Sequence, residues 1–193
     1  LKNHIGTERW YGFSIYLPSE GIKYDTQKDA SHMLFFQLHG SPDHNLDEPW
    51  RKPPVCMILN KHDGLLNLRW SFDRAKVSPK NKNIDKNLKA KKIGYISDFY
   101  DRWIDVVLHC RFDPFGEGLI QLWWEKEKIL DKKNISLGYN DEIGPYASYG
   151  LYVPGGKGYK EKHWLFIDEV RIGDENACYD NVAPKINKEK DQA

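Results

Sequence analysis

A chain of 193 residues with 29 Lys and Arg against 28 Asp and Glu has a net charge of +1, so it lacks the global basic excess expected of a nucleic-acid binder. No apolar run approaches the ~18 residues of a membrane-spanning helix, which excludes a membrane partner of that kind, and the length fits one domain with a substantial core. Cys56, Cys110 and Cys178 lack metal-ligand spacing; Cys56 and Cys110 are expected as buried free thiols, and the pairing state of Cys178 stays open.

Period-2 hydrophobicity dominates from the start of the chain, and no segment sustains an amphipathic helix. Residues 10–17 put Tyr11, Phe13, Ile15 and Leu17 on one face, and Pro18 ends the run. Residues 33–39 form the next strand, and 55–60 follow a Pro-rich stretch. Residues 65–73 set Leu66, Leu68, Trp70 and Phe72 against Asn67, Arg69, Ser71 and Asp73. The six lysines Lys80, Lys82, Lys86, Lys89, Lys91 and Lys92 then read as a solvated loop, or as a rim attracting a polyanion.

Residues 103–111 alternate again, with Ile104, Val106, Leu108 and Cys110 on one side. Residues 119–126 and 128–130 read as a hairpin without the usual Asn-Gly turn. Strands at 146–153 and 163–172 complete the set, separated by the glycine-rich segment Pro154-Gly155-Gly156-Lys157-Gly158, which reads as a flap or a plain turn. Nine or more short strands predict an all-β sandwich or jelly roll of two antiparallel sheets. One polar outer face, made by 65–73, 103–111 and 146–153, would take a ligand. The domain is expected over 1–184, with a frayed charged tail at 185–193.

Within that frame two segments carry candidate chemistry. In Phe35-Phe36-Gln37-Leu38-His39-Gly40, strand alternation sends Gln37 and His39 to one face. In Tyr146-Ala147-Ser148-Tyr149-Gly150-Leu151-Tyr152, Tyr146, Ser148 and Tyr152 share a face around Gly150. If the fold joins those faces, an amide, an imidazole and a phenol meet in one groove. That trio suits proton abstraction beside a carboxylate, although a Gln-x-His pair by itself is also what an ordinary polar sheet face carries, and a Tyr-rich strand is also plain β-propensity.

Taken in order, Trp10-Tyr11-Gly12-Phe13-Ser14-Ile15-Tyr16-Leu17-Pro18, Gln37-Leu38-His39, Trp103-Ile104-Asp105-Val106-Val107, Ile120-Gln121-Leu122-Trp123, the Tyr146 strand and Phe166-Ile167-Asp168-Glu169-Val170-Arg171-Ile172 resemble the jelly-roll polysaccharide lyases. The likeness is to the heparin lyase I and glucuronan lyase group, and more distantly to alginate lyases. It implies a concanavalin A-like sandwich and cleavage of an acidic, uronate-containing polysaccharide by β-elimination. Gln37 would neutralise the carboxylate, His39 would be the base and Tyr152 the acid. Tyr146, Ser148, Arg69, Arg111, Arg51, Asn60 and Trp123 are further candidates for holding substrate.

The resemblance implies no required cofactor, although some relatives bind structural calcium, to which Asp168 could contribute. It also implies a monomer, secreted or periplasmic. Two departures stand out: Ser148 replaces a common lysine, and an early Arg-x-Glu-type strand is expected to be missing from this stretch. The alternative reading is a non-catalytic carbohydrate-binding module of the same fold. A jelly-roll hydrolase would need paired carboxylates on one strand face, whereas Asp168 and Glu169 are adjacent and point oppositely.

Overall fold

The β-rich patterning resolves, in a computed structural model describing residues 5–22, 32–60, 62–78, 82–153 and 162–185, into two antiparallel sheets packed face to face. One sheet holds β1 (Glu8–Tyr16), β5 (Phe72–Asp73), β7 (Trp103–Arg111), β8 (Asp113–Trp124), β9 (Glu127–Tyr139) and β11 (Phe166–Gly173). Its order is β11-β1-β7-β8-β9-β5, with only the short β5 running parallel to its neighbour. The other holds β2 (His32–His39), β3 (Val55–Asn60), β4 (Leu65–Trp70), β6 (Lys89–Tyr95) and β10 (Tyr146–Tyr152), in the order β10-β2-β3-β4-β6.

The alternating apolar residues explain why the sheets meet. Phe13, Ile15, Ile104, Val106, Leu108, Ile120 and Leu122 from the six-stranded sheet face Met33, Phe36, Leu38, Met57, Leu59, Leu66 and Leu68 from the five-stranded one, all in one buried cluster. Phe13 stacks on Phe36 at 5.2 Å between ring centroids, across the two sheets. Each such side chain contributes about 1.5–3 kcal/mol on full burial, so this shared core fixes which face of every strand is left outside. Cys56 and Cys110 are buried free thiols as expected, and Cys178 is exposed and free. No helix among the described residues is long and apolar enough to cross a membrane.

Three local departures from strict alternation matter. First, β2 carries a bulge: Leu34 pairs with Ile58 but Phe36 with Met57, so Phe35 is an extra residue. Phe35 and Phe36 both point into the core. His32 and Leu34 thereby come to the same outer side as Gln37 and His39. Second, the 65–73 strand divides at Ser71, whose N–H donates to the Pro54 carbonyl, and Phe72–Asp73 crosses to the other sheet beside β9. Third, the lysine-rich stretch read as a loop contains a short helix α1 (Lys82–Lys86) and the edge strand β6. Its lysines suit an edge, because charged side chains discourage further strand pairing there.

The hairpin between β8 and β9 is longer than its sequence pattern suggests, and it closes at Trp124↔Glu127. Glu125 and Lys126 both take positive φ, 51° and 74°, the geometry of a type I′ turn without the Asn-Gly that usually relieves it. Lys80, the 154–158 segment and residues 186–193 of the tail lie outside the described residues.

Candidate active site

The outer face of the five-stranded sheet is organised in rows by its register. The central row runs Ser148, Gln37, Cys56, Arg69 and Ala90 across β10, β2, β3, β4 and β6. On one side of it His39 pairs with Tyr146; on the other, Tyr152, Leu34, Ile58, Asn67 and Lys92 form the next row. Gln37 is therefore flanked by the imidazole and the phenol. The Tyr152 row is reached through a register shift in β10, where Gly150 sits at φ +120°. An L side chain is strained at that angle, so glycine is what allows Tyr152 to come level with Leu34.

These rows line a groove of about 700 Å³ that takes in Gln37, His39, Arg69, Tyr146 and Tyr152. The volume is within the range of ligand sites. Its floor is the small buried cluster Leu34, Cys56 and Ile58. Burial pushes the Cys56 thiol up to about 12, so it is a neutral, apolar surface at ordinary pH.

His39 has a defined tautomer. Its Nδ1 lies 2.8 Å from the Gly40 carbonyl, which can only accept, so Nδ1 carries the proton and Nε2 keeps the free lone pair. The ring stacks on Tyr146 at 5.7 Å and lies 5.6 Å from Trp50. Gln37 Oε1 is buried and has no hydrogen-bond partner among the described residues. Tyr152 is 52% exposed and borders the groove.

The cationic side of the groove is Arg69. It lines the cavity and forms no ion pair with a described carboxylate. Its field is felt at His32, whose pKa is held below the ordinary value by burial first and then by the charges of Arg69 and Lys52.

Arg51 also borders the groove, yet it is not free to hold substrate. Its guanidinium donates to both oxygens of Asp141 at 2.9 and 2.8 Å, to Glu48 Oε1 at 2.7 Å and to Ser78 Oγ at 3.3 Å, and lies over the Tyr139 ring. Only 2% of the side chain is exposed. Burial pushes the Asp141 carboxyl up to about 6, against the pull of Arg51. Glu48 further accepts the backbone N–H groups of Asp43 and Ser78. Arg51 is thus the centre of a buried ionic knot that fastens the 43–54 segment to the sandwich.

Several expected substrate residues lie elsewhere. Arg111 and Trp123 belong to β7 and β8 and project from the opposite side of the sandwich. There Arg111 pairs with Glu8, and Trp123 packs on Trp10 and Tyr179. With the whole core between them and the groove, they cannot contribute to it. Asn60 is spent in the turn after β3, donating to Asp63 and accepting from His62 N. Asp168 accepts from the adjacent Glu169 N. Among the described residues no group of three or more His, Cys, Asp or Glu could hold a metal. Ser148 lies beside Gln37 in register.

The sequence reading passed over Trp50, His32 and Lys52, which line the groove. Trp50 and Lys52 come from an irregular segment with no periodicity to mark it, and His32 gains its place only through the β2 bulge.

A family model described as polysaccharide lyase matches residues 2–171. Among solved structures the chain is similar to the endo-β-1,4-glucuronan lyase of the fungus Trichoderma reesei, with 18% identity and a TM-score of 0.68 over 95% of this chain and 73% of that one. It is also similar to the alginate lyase AlyC3, with 7% identity and a TM-score of 0.60 over 90% of this chain and 67% of that one. A marine alginate lyase from Zobellia galactanivorans matches at 15% identity and a TM-score of 0.51, over 90% of this chain and 64% of that one. At these identities the likeness shows the fold, the expected jelly-roll sandwich. No curated protein sequence matches the chain.

Proposed function

The chain belongs to the polysaccharide lyase family, and on that premise we propose that it cleaves a uronic-acid-containing polysaccharide by β-elimination, with Gln37, His39 and Tyr152 as the reacting groups. The observation that carries this reading is the row order: an amide with an imidazole on one side and a phenol on the other, all lining one groove.

The chemistry follows from the residue types. The C5–H of a uronate is only weakly acidic, and its removal becomes feasible when the adjacent carboxylate is neutralised by preorganised donors. Gln37 and Arg69 stand two strands apart, roughly 10 Å at the usual strand spacing, with only the short Cys56 side chain between them. A carboxylate resting over Cys56 is bracketed by the amide and the guanidinium. Arg69 thereby supplies the cation that Ser148 does not.

His39 Nε2 accepts the C5 proton, and the C–H electrons become the C4=C5 double bond. The C4–O4 bond breaks, and the departing O4 takes its proton from the Tyr152 hydroxyl. The products are an unsaturated uronate and a free hydroxyl on the released chain; proton return from His39 to Tyr152 through solvent resets the site. Every step is proton transfer and electrostatic stabilisation by these side chains.

The test is incubation with a panel of uronans, including β-1,4-glucuronan and alginate, while following the ultraviolet absorbance of the unsaturated product. A rise on at least one polymer is expected. Binding without unsaturation would point to a non-catalytic groove, and new reducing ends without unsaturation would overturn the elimination.

A further inference from the structure

The geometry points to Trp50 as the stacking platform of a sugar subsite on the reducing-end side of the reacting uronate. This rests on the elimination reading for its direction, although the platform itself stands on separate observations.

Trp50 is 58% exposed, the most exposed large apolar side chain among the described residues, and it faces the groove. An indole left in water is costly unless something covers it. A flexible loop could fold it away, but this one is fastened on every side. Arg51, the next residue, is locked to Glu48 and Asp141, while Asp43 is held by Lys76 and by Glu142 N. Trp50 also lies 5.6 Å from the His39 ring and 6.0 Å from the His44 ring, so its plane is set by neighbours. A rigid, exposed indole at a groove wall matches the apolar C–H face of a pyranose, and its fixed geometry keeps the entropy of binding low.

The register gives the direction. Tyr152, which protonates O4, lies on one side of Gln37; His39, which takes the C5 proton, lies on the other, and Trp50 adjoins His39 from the segment that enters β3 at Val55, the partner of Leu38, so it stands at the His39 end of the groove. O4 links the reacting uronate to its non-reducing neighbour, so the chain runs from the Tyr152 end toward Trp50. The sugar on Trp50 is then the one joined to C1 of the reacting residue. Bonds with a sugar at that position gain the contact, and the bond to the reducing-terminal residue does not.

The experiment uses β-1,4-linked tetraglucuronate labelled at its reducing end, with products separated by length. In Trp50→Ala the ratio of internal to reducing-terminal cleavage should fall by about fivefold to tenfold, the scale of one stacking contact, and Trp50→Phe should recover part of it. Trp164→Ala, 41% exposed and outside the groove, serves as control and should leave the ratio unchanged. An equal slowing of both bonds would mean that Trp50 acts through His39, and no change would mean that it carries no sugar; either overturns the proposal.

A second arm separates this from failure of the elimination reading. Oxidative labelling of Trp50 and Trp164 in His39→Ala, read by peptide mass, should show Trp50 alone protected by the tetrasaccharide. Absence of unsaturated product from the unsubstituted protein, with Trp50 still protected in His39→Ala, would sink the chemistry and leave the platform. Bound tetrasaccharide without that protection would remove the platform whatever the chemistry.

Discussion

In the proposed elimination His39 and Arg69 divide the labour of the groove, and each assignment starts from one local observation. The Gly40 carbonyl fixes the proton on Nδ1, so Nε2 is the basic atom. Arg69 carries a charge that no described carboxylate neutralises, and it lowers the pKa of His32 after burial has done so. Replacing Arg69 with Gln should therefore raise the His32 pKa toward its ordinary value, read from the imidazole proton shifts in an NMR titration. An unmoved His32 would mean that Arg69 does not project its field across the floor. The sign for stability follows. The folded state disfavours charged His32, so its contribution is full above about pH 6.5 and declines as pH falls through that value; Arg69→Gln should make the decline shallower. The same change should cut kcat/KM on a uronan by about tenfold to a hundredfold, the scale of a charge-assisted hydrogen bond, with little loss of fold stability.

Elements place these residues, and two of them carry measurable strain or support. The 43–54 segment depends on Arg51. Removing it leaves Glu48 and Asp141 buried without their counter-charge, so Arg51→Ala should cost about 3–5 kcal/mol in urea unfolding. A cost below 1 kcal/mol would show the knot to be solvated and Arg51 available to substrate after all. The β8–β9 turn holds Lys126 at φ 74°, a conformation that glycine adopts without strain. Lys126→Gly should stabilise the protein by about 0.5–1 kcal/mol, seen as a higher urea midpoint with unchanged slope.

Element-level features also mark where the sequence was legible. The bounds of β3 and β7 were legible to the residue, β7 from the alternation of Ile104, Val106, Leu108 and Cys110 with their neighbours and β3 from the Pro-rich stretch that precedes it. Alternation could not tell the two sheets apart, since strands of both alternate alike, and for that reason Arg111 and Trp123 looked like groove residues. The β6 lysines hid an edge strand, where charge is a protective feature rather than a loop marker. Arg51 looked like a ligand for the opposite reason: a buried arginine is recognisable only from the acids around it, and Asp141 lies far along the chain.

At the scale of the whole molecule, a shared apolar core turns the polar faces of five strands into one surface, and register then sets the order of chemistry across it. The Gln-x-His and Tyr strands, far apart in sequence, pair directly because β10 is the neighbour of β2. The family resemblance implied that the two strands share a site, but not that they are neighbours; the bulges at Phe35 and Gly150 that bring Tyr152 and Leu34 into line were not readable from alternation. Among the described residues β10 has no strand on its outer side, so the groove floored by β2 and β3 has the Tyr146 and Tyr152 rings along one edge.

The most direct measurement is the rate of unsaturated-product formation on the best uronan for His39→Ala, Tyr152→Phe and Arg111→Gln, each checked for unchanged folding. Loss of a general base or acid removes about 10²–10⁴ in rate, so the first two should fall by that much while Arg111→Gln, on the far face, stays within twofold of the parent. Near-parental rates in both His39→Ala and Tyr152→Phe, or a collapse in Arg111→Gln, would place the chemistry outside this groove.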